Sequence, residues 1–478
     1  MELSITLMLI FSTTIFFIFR NVYNHLISKH KNYPPGSMGL PYIGETLSFA
    51  RYITKGVPEK FVIERQKKYS TTIFKTSLFG ENMVVLGSAE GNKFIFGSEE
   101  KYLRVWFPSS VDKVFKKSHK RTSQEEAIRL RKNMVPFLKA DLLRSYVPIM
   151  DIFMKQHVNS HWNCETLKAC PVIKEFTFTL ACKLFFSIDN PLELEKLIKL
   201  FVNIVNGLLT VPIDLPGTKF RGVITSVKTI RHALKVLIRQ RKVDIREKRA
   251  TATQDILSIM LAQAEDENYE MNDEDVANDF LAVLLASYDS ANTTLTMIMK
   301  YLAEYPEMYD RVFREQMEVA KMKGTDELLN LDDLQKMNYT WNVACKVLRI
   351  ATPTFGAFRE VIADCTYEGY TIPKGWKLYY APRFTHGSAK YFQDPEKFDP
   401  SRFEGDGAPP YTFVPFGGGL RMCPGYKYAK IIVLVFMHNI VTKFKWEKVD
   451  PNEKMTVGIV SAPSQGLPLR LHPHKSPS

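Results

Sequence analysis

The most specific signal for the fold is the stretch Phe416-Gly417-Gly418-Gly419-Leu420-Arg421-Met422-Cys423-Pro424-Gly425. Three consecutive glycines let the backbone adopt positive φ angles and approach a flat ligand closely. Arg421 supplies a permanent cation for a carboxylate. Cys423 stands at the start of a long apolar helical segment, where helix N–H groups can face the sulfur and lower its pKa. The stretch therefore predicts a thiolate that can serve as a metal ligand.

Other interpretations of this stretch are weaker. It is not a phosphate-binding loop, because no G-x-x-x-x-G-K-[ST] pattern is present. A cysteine nucleophile would need a partner histidine, and the sequence cannot pair His438 with Cys423. The remaining cysteines form no C-x-x-C pair, which favours reduced thiols in a reducing compartment. They are Cys164, Cys170, Cys182, Cys345 and Cys365.

A family resemblance rests on this stretch together with a second one. Phe416–Gly425 matches the pattern F-x-x-G-x-R-x-C-x-G, and Phe398–Phe403 is similar to the P-x-R-F element that precedes it. On these motifs the chain resembles the cytochrome P450 superfamily over essentially residues 30–475. Four further segments resemble those of the plant enzymes that oxidise pentacyclic triterpenes of the β-amyrin type: PIDLPGT, EKFDPSRFEG, YTFVPFGGG and GLPLRLHPH.

The fold class that this resemblance implies is the mainly α haem-thiolate fold with small β-sheets, preceded by an N-terminal transmembrane helix. Hydrophobic periodicity agrees with it. Helical periodicity covers Glu125–Leu143, Leu192–Leu208, Gly222–Lys248, Asn272–Glu304, Met308–Met322 and Pro424–Phe444. Strand-like runs cover Thr71–Phe74, Asn82–Leu86 and Thr366–Tyr380.

The cofactor that the resemblance implies is haem b with Cys423 as its iron ligand and Phe416 and Gly417 beside it. Arg421 and Arg359 resemble partners of the haem propionates. Arg131 is a looser candidate that could equally be a solvated surface residue. The chain has no flavin or nicotinamide motif, so O2 chemistry would draw NADPH electrons through an NADPH–cytochrome P450 reductase.

Oxygen activation in the family uses a helix with the pattern [A/G]-G-x-[D/E]-T-[T/A]. Residues 286–291 correspond to it as ASYDSA, with Ser287 in place of the glycine and Ser290 in place of the threonine. Asp289 and Ser290 are the predicted proton relay, since O–O cleavage needs protons. The alternative is that both side chains only face water or cap a kink. The residues that correspond to pocket-lining positions could instead be ordinary core: Trp106, Phe107, Ala286, Ser287, Phe355 and Val460.

One departure from the family stands out. The E-x-x-R motif is replaced by Lys346-Val347-Leu348-Arg349. Lys346 would then meet Arg349 and Arg402, and an uncompensated buried charge costs about 3–5 kcal/mol. Three outcomes stay open: Lys346 reaches solvent, its pKa falls, or Asp399 or Glu360 replaces the missing acid. Reduced stability or haem retention is therefore a hypothesis of the sequence.

The N-terminus predicts a membrane anchor. Leu3–Phe19 carries no charge, and as a helix it would extend about 26 Å. The alternative is a cleaved signal peptide, but the sequence has neither the basic n-region nor the A-x-A-like cleavage site of such a peptide. Positive charge follows the run, which predicts a cytosolic catalytic domain at the endoplasmic reticulum membrane with a single span. We expect an anchor over residues 1–28, a proline-rich hinge over 29–45 and a P450 domain over 46–478.

The predicted activity is hydroxylation of an unactivated C–H bond in β-amyrin or an oxidised derivative, at C-16 or C-28 for example. Alternatives are another isoprenoid (diterpenoid or steroid) hydroxylase, an isomerase or dehydratase that needs no O2, and a haem-binding protein impaired by Lys346. The substrate is a hydrophobic small molecule. The net charge of +13 is spread along the chain without a nucleic-acid module, so we expect lipid and reductase partners and no nucleic acid.

Overall fold

The computed structural model describes residues 32–115, 123–208, 210–266, 272–324, 327–354, 356–457 and 461–474. Two compact units are distinguished within the chain. The smaller unit comprises the described residues up to Trp106 together with Gly356–Thr385. The larger unit comprises Phe107 to residue 354 together with the described residues from His386 onward.

Helices dominate the described residues, as the sequence predicts. In chain order they are α1 (Thr46–Thr54), α2 (Pro58–Tyr69), α3 (Ala89–Gly97), α4 (Ser109–Phe115), α5 (Ser123–Met134), α6 (Ala140–His161), α7 (Ala169–Phe186), α8 (Pro191–Gly207), α9 (Lys219–Arg246), α10 (Ile256–Asp266), α11 (Asp273–Glu304), α12 (Pro306–Lys321), α13 (Leu331–Gln335), α14 (Asn338–Ile350), α15 (Pro382–His386) and α16 (Tyr426–Val441). Short 3₁₀ turns occupy Val135–Leu138, Pro400–Phe403 and Gly419–Arg421.

The strands form small sheets. They are β1 (Ile73–Leu78), β2 (Glu81–Leu86), β3 (Leu103–Val105), β4 (Thr166–Lys168), β5 (Ala357–Val361), β6 (Cys365–Tyr367), β7 (Tyr370–Ile372), β8 (Lys377–Tyr380), β9 (Phe444–Lys448), β10 (Met455–Val457), β11 (Ser461–Pro463) and β12 (Pro468–Pro473). In the smaller unit a sheet runs in the order β1-β2-β8-β5-β3, with β2 and β8 parallel and its other pairs antiparallel, and β6 pairs with β7. In the larger unit β12 lies between β4 and β9, and β10 pairs with β11.

The long helix α11 is central to the larger unit. It begins after Asn272, whose side chain accepts the Glu274 N–H, and acidic residues fill its first turn, where they favour the helix dipole. It contacts α7, α9, α14 and α16. Most of its side chains are buried, but Ala286 and Ser290, one turn apart, are exposed. Ala286 and Ser290 thus form an exposed strip on an otherwise internal helix, which we call the bare strip of α11.

The structure corrects one predicted helix. Glu125–Leu143 was expected to be continuous, but α5 ends at Met134 and α6 begins only at Ala140. Residues Val135–Leu138 form a 3₁₀ turn that contains Pro136. Proline lacks the N–H that a continuous helix needs and clashes with the preceding turn. In contrast, the prediction of Asn272–Glu304 as one helix is confirmed by α11.

The predicted anchor, residues 1–28, lies outside the described residues. Among the helices that the structure describes, none is both long and apolar enough to cross a membrane. Part of the predicted hinge is described and lies along β1. The Lys75 N–H donates to the Pro35 carbonyl at 2.8 Å, and the Glu45 N–H donates to the Ser77 carbonyl at 2.7 Å.

A buried carboxylate ties together the helices behind the cysteine stretch. Asp151 of α6 is fully buried and accepts hydrogen bonds from the Asn439 amide of α16 at 2.8 Å and from the Leu329 N–H at 3.1 Å. Lys155, one turn further along α6, pairs with it at 2.9 Å. Because a buried acceptor of this kind satisfies donors on separate segments, Asp151 fixes α16 against α6.

We expect Asp151→Ala to destabilise the protein by about 3 kcal/mol, because two buried donors lose their acceptor. Lys155→Ala is the matched control; its half-exposed ammonium should contribute less than about 1 kcal/mol. Chemical denaturation of both variants measures the difference. Equal destabilisation by the two substitutions would contradict a structural role for the Asp151 contacts with Leu329 and Asn439.

Candidate functional site

The glycine-rich stretch folds back on itself. Gly417 and Gly419 have φ angles of 69° and 62°, in the left-handed region that side chains disfavour. The Cys423 N–H donates to the Phe416 carbonyl at 2.8 Å, which closes the loop. The Phe416 ring packs edge-on against Tyr426, the first residue of α16, with centroids 5.0 Å apart. The loop is therefore attached to the helix that follows it.

The Cys423 residue is exposed, and the Gly425 N–H donates to its sulfur. Surrounding protein raises the thiol pKa above its ordinary value, whereas the Gly425 N–H and the charge of Arg131 act to lower it. The sequence predicted a lowered pKa at a helix start. The net direction is opposite because α16 begins only at Tyr426 and desolvation outweighs a single N–H dipole.

Two of the predicted propionate partners are in the larger unit, near the cysteine. Arg131 of α5 is half-buried and donates to the Met422 carbonyl at 2.5 Å. This contact places Arg131 beside the cysteine loop, and its role as a propionate partner stays a prediction. Arg421, also half-buried, ends the 3₁₀ turn two residues before Cys423. Both cations thus border the loop that carries the thiol.

Arg359, the third predicted propionate partner, belongs to the smaller unit and has a partner that the sequence did not indicate. Its Nε and Nη2 donate to Glu99 Oε1 at 2.8 and 2.6 Å. The two side chains are only 7% and 2% exposed, so the pair is nearly dry. Charge neutralisation of Arg359 by a residue 260 positions away could not be deduced from local pattern.

The predicted relay residues face different surroundings. Asp289 is 8% exposed, and its Oδ1 lies 2.9 Å from the Nζ of Lys174 on α7. The Ser290 hydroxyl is on the bare strip of α11 and donates to the Ala286 carbonyl at 2.7 Å. The structure therefore does not bring the two side chains together. The structure also places Lys174 beside Asp289, a contact that the sequence did not predict.

Lys174 is held by two features of α11. Its ammonium lies 4.4 Å from the centre of the Tyr288 ring as well as next to Asp289. Burial alone would lower its pKa, but Asp289 and Tyr288 raise it above the ordinary value for lysine. Lys174 is therefore a stable cation that keeps the Asp289 carboxylate oriented toward α7.

The predicted pocket residues are only partly described. Ser287 donates its hydroxyl to the Leu284 carbonyl at 3.1 Å, and Ala286 lies on the bare strip. Trp106, in the smaller unit, packs edge-on against Phe358 at 5.6 Å. Phe107, in the larger unit, is 37% exposed. Phe355 and Val460 lie outside the described residues.

The departure at Lys346 produces a buried cluster of cations in the larger unit. Lys346 on α14 is completely buried and donates to the Lys397 carbonyl at 2.5 Å. Arg349, one turn along, donates to the His386 and Pro395 carbonyls. Arg402 donates to the Asp394 carbonyl at 3.2 Å. Neutral main-chain acceptors therefore surround charges that would normally meet a carboxylate.

Of the two acids proposed to compensate, Asp399 lies near this cluster, with its Oδ2 4.0 Å from Arg402 Nε. Glu360 does not compensate, and that prediction is wrong. It lies on β5 of the smaller unit, where Arg104 at 2.7 Å and Lys377 at 3.3 Å on the neighbouring strands pair with it. Burial, together with Arg349 and Arg402, lowers the pKa of Lys346 to about 7.

A family model described as Cytochrome P450 matches residues 34–468 of the chain. The chain belongs to the cytochrome P450 family. The beta-amyrin 16-beta-monooxygenase of Platycodon grandiflorus is 47% identical to this P450 over 99% of the chain and 98% of its own length. The beta-amyrin 28-monooxygenase of Vitis vinifera is 49% identical over 94% of the chain and 95% of its own length.

A solved structure agrees with this membership. The cyanobacterial CYP120A1 with retinoic acid bound superposes with a TM-score of 0.82 and 30% identity, over 92% of this chain and 99% of its own. The mainly α P450 fold with small sheets that the sequence predicted is thereby confirmed. This P450 is an oxidoreductase of the monooxygenase type.

Membership of the family implies a haem whose iron is bound by a cysteine thiolate, with O2 and NADPH-derived electrons that a reductase delivers. The residues present fit such a group. The residue Cys423 is exposed and its sulfur receives a backbone N–H, which suits a thiolate ligand. Arg131 and Arg421 are cations beside it, and α11 has a bare strip at Ala286 and Ser290.

The lowered pKa of Lys346 predicts that stability depends on pH. The pKa of this lysine is near the ordinary 10.5 in the unfolded chain and about 7 in the folded protein, so unfolding takes up a proton between these values. We expect the unfolding free energy to rise with pH from about 7 toward 10.5, with a contribution of at most about 1.4 kcal/mol per pH unit from this group.

Thermal unfolding of the wild type and Lys346→Met from pH 7 to 9 measures this slope, because methionine keeps the apolar stem without the titrating amine. Lys346→Glu should restore an acid to Arg349 and raise haem content at neutral pH. Identical pH slopes in the wild type and Lys346→Met would show that Lys346 does not titrate in the folded protein.

Proposed function

We propose that this P450 hydroxylates an unactivated C–H bond of a pentacyclic triterpene, β-amyrin or an oxidised derivative, at C-16 or C-28. The observation that carries the proposal is near-full-length similarity, at 47–49% identity, to enzymes named for those two positions on β-amyrin. One oxygen atom of O2 enters the substrate. The other leaves as water, with two electrons and one proton from NADPH and a second proton from solvent.

Cys423 would hold the iron, with Phe416 and Gly417 beside the cofactor. Haem ligated by a thiolate supplies the electron donation that favours O–O cleavage. The Gly425 N–H moderates the charge on the sulfur. Arg421 and Arg131 would bind haem carboxylates, and Arg359 would do so as a member of its ion pair with Glu99.

Asp289 and Ser290 would manage the protons. Asp289 holds a carboxylate in the interior of the larger unit, within reach of Lys174 on α7, and Ser290 presents a hydroxyl on the bare strip of α11. The serine hydroxyl would turn from the Ala286 carbonyl to donate toward the substrate side of the helix, and the acid would replace that proton through a side-chain movement or a bridging water. Lys174 acts as a positioning residue for Asp289.

The substrate would occupy an apolar pocket, because a triterpene offers few polar groups to recognise. Trp106, Phe107, Ala286, Ser287, Phe355 and Val460 are the residues that we propose to line it. The side chain of Ala286 leaves room at the bare strip, whereas the Ser287 hydroxyl is occupied by the Leu284 carbonyl. Shape is therefore the main basis of selectivity near α11.

The proposed location is the endoplasmic reticulum membrane, with residues 1–28 as a single anchor, 29–45 as a hinge and the P450 domain 46–478 in the cytosol. Exposed apolar side chains in the α8–α9 loop support contact with lipid: Val211, Ile213 and Leu215 are 71%, 50% and 60% exposed. The proposed electron donor is an NADPH–cytochrome P450 reductase, whose acidic surface would suit a basic protein. Nucleic acid is not a proposed partner.

A second candidate is a P450 that binds haem but turns over poorly, which the buried Lys346 favours. A different isoprenoid substrate is the other variant of the proposal, since the solved relative at 30% identity contains retinoic acid. The identities to the β-amyrin enzymes are higher and cover almost the whole chain, so the triterpene remains the preferred substrate.

We expect yeast that expresses this P450 with a plant reductase and is fed β-amyrin to produce a triterpene that carries an added oxygen at C-16 or C-28. Mass spectrometry and NMR of the product identify the position. A carbon-monoxide difference spectrum with the thiolate band but no product from any triterpene would favour the impaired P450. In Cys423→Ala the thiolate band should vanish, and an unchanged spectrum would overturn the ligand assignment.

We expect Asp289→Asn to reduce product formation by about 10²-fold, since a general acid contributes 10²–10⁴-fold.

Lys174→Met should release the Asp289 carboxylate, shift the pH profile of product formation and lower the product formed per NADPH. Lys174→Arg should restore both the pH profile and the product formed per NADPH. Lys183→Met on the same helix, whose lysine pairs with Asp189, is the matched control. If Lys174→Met leaves both the pH profile and the product formed per NADPH unchanged, Lys174 does not position Asp289.

A further inference from the structure

The Lys346 cluster contains more hydrogen-bond donors than acceptors. A lysine ammonium has three N–H donors, and within the described residues Lys346 uses one of them, on the Lys397 carbonyl. Arg349 is 2% exposed, and its Nε has no hydrogen-bond partner among the described residues. The same holds for the buried Nε of Arg402. Several buried N–H groups on three cations therefore lack an acceptor.

The cluster also carries an excess of positive charge. Four main-chain carbonyls accept from the three cations, and these acceptors carry no net charge. The rings of Phe398 and Phe392 lie 5.6 Å from Lys346 Nζ and 4.8 Å from the Arg349 guanidinium. Such faces attract cations only weakly. Asp399 is 4.0 Å from Arg402, and Glu396 acts on Lys346 and Arg349, so two negative charges meet three positive ones.

Geometry places the unsatisfied donors together. Lys346 and Arg349 are three residues apart on α14 and share one face of the helix. The 3₁₀ turn that carries Arg402 packs against the same helix. Substitution of an acid by a lysine at position 346 removes an acceptor from this face and adds donors to it. An anion would satisfy both the charges and the N–H groups.

We propose that Lys346, Arg349 and Arg402 bind a small inorganic anion, of which chloride is the test case, in place of the carboxylate that the E-x-x-R pattern provides. The anion would accept from the Arg349 and Arg402 Nε–H groups and from the ammonium of Lys346. Bound chloride stabilises the folded protein and keeps Lys346 protonated. This site is separate from substrate and from electron transfer, so it does not depend on the proposed function.

The test is thermal unfolding of the ferric holoprotein at constant ionic strength, with potassium gluconate replaced stepwise by potassium chloride. Below pH 7 we expect chloride to raise the midpoint of the wild type by about 2–4 °C with saturation, whereas gluconate is too large for a buried site. The effect should fade above pH 8. The charged groups that face Lys346 there are Arg349, Arg402, Asp399 and Glu396.

Lys346→Glu places a carboxylate of the protein itself beside Arg349 and should abolish the chloride response. Lys397→Met is the matched control, because it removes an exposed cation from the same segment but keeps the main-chain carbonyl. Should Lys346→Glu not fold, a bromide soak of wild-type crystals gives an independent answer through an anomalous peak beside Arg349 Nε. The absence of a chloride response, an equal response in both variants, or no bromide at this position would each overturn the proposal.

Discussion

The chemistry that we propose for this P450 depends on a single sulfur atom, that of Cys423, which an exposed loop of a well-packed unit presents. The loop reaches that shape because Gly417 and Gly419 adopt left-handed φ angles, and the Cys423 N–H closes it on the Phe416 carbonyl. A loop by itself would be mobile. It is fixed because Phe416 packs on α16, whose apolar face is buried and whose far end is held through Asp151.

Buried charge is handled in two ways in this molecule. Arg359 with Glu99, and Asp289 with Lys174, follow the usual rule that a buried ion is paired with one of opposite sign. The cluster at Lys346 instead satisfies cations with main-chain carbonyls, and the remaining imbalance lowers the pKa of the lysine to about 7. Carbonyl dipoles satisfy hydrogen bonds without cancelling charge. The cluster therefore stays sensitive to protons and, as we propose, to dissolved anions.

The sequence predicted the elements whose information is local. The ten-residue cysteine stretch, the periodicity of α11 and the unusual lysine at 346 are each contained in a short segment. Pairings between distant segments could not be predicted, because Glu99, Lys174 and the Lys397 carbonyl meet their partners only after folding. The assumption that nearness in sequence means nearness in space failed at Glu360, which a strand places between Arg104 and Lys377. Pro136 was a local signal of a helix break that the periodicity concealed.

The geometry of α11 constrains any relay built on Asp289 and Ser290. Successive residues of an α-helix diverge by about 100° around its axis, so two neighbouring side chains cannot face one point at once. Ser290 lies on the bare strip and Asp289 faces α7, as that angle requires. The acid thus contacts the solvent-accessible edge of α7 through Lys174, whereas the hydroxyl faces the open side of the helix. The relay that we propose therefore needs a side-chain movement of Asp289 or a bridging water to carry a proton from one face of α11 to the other.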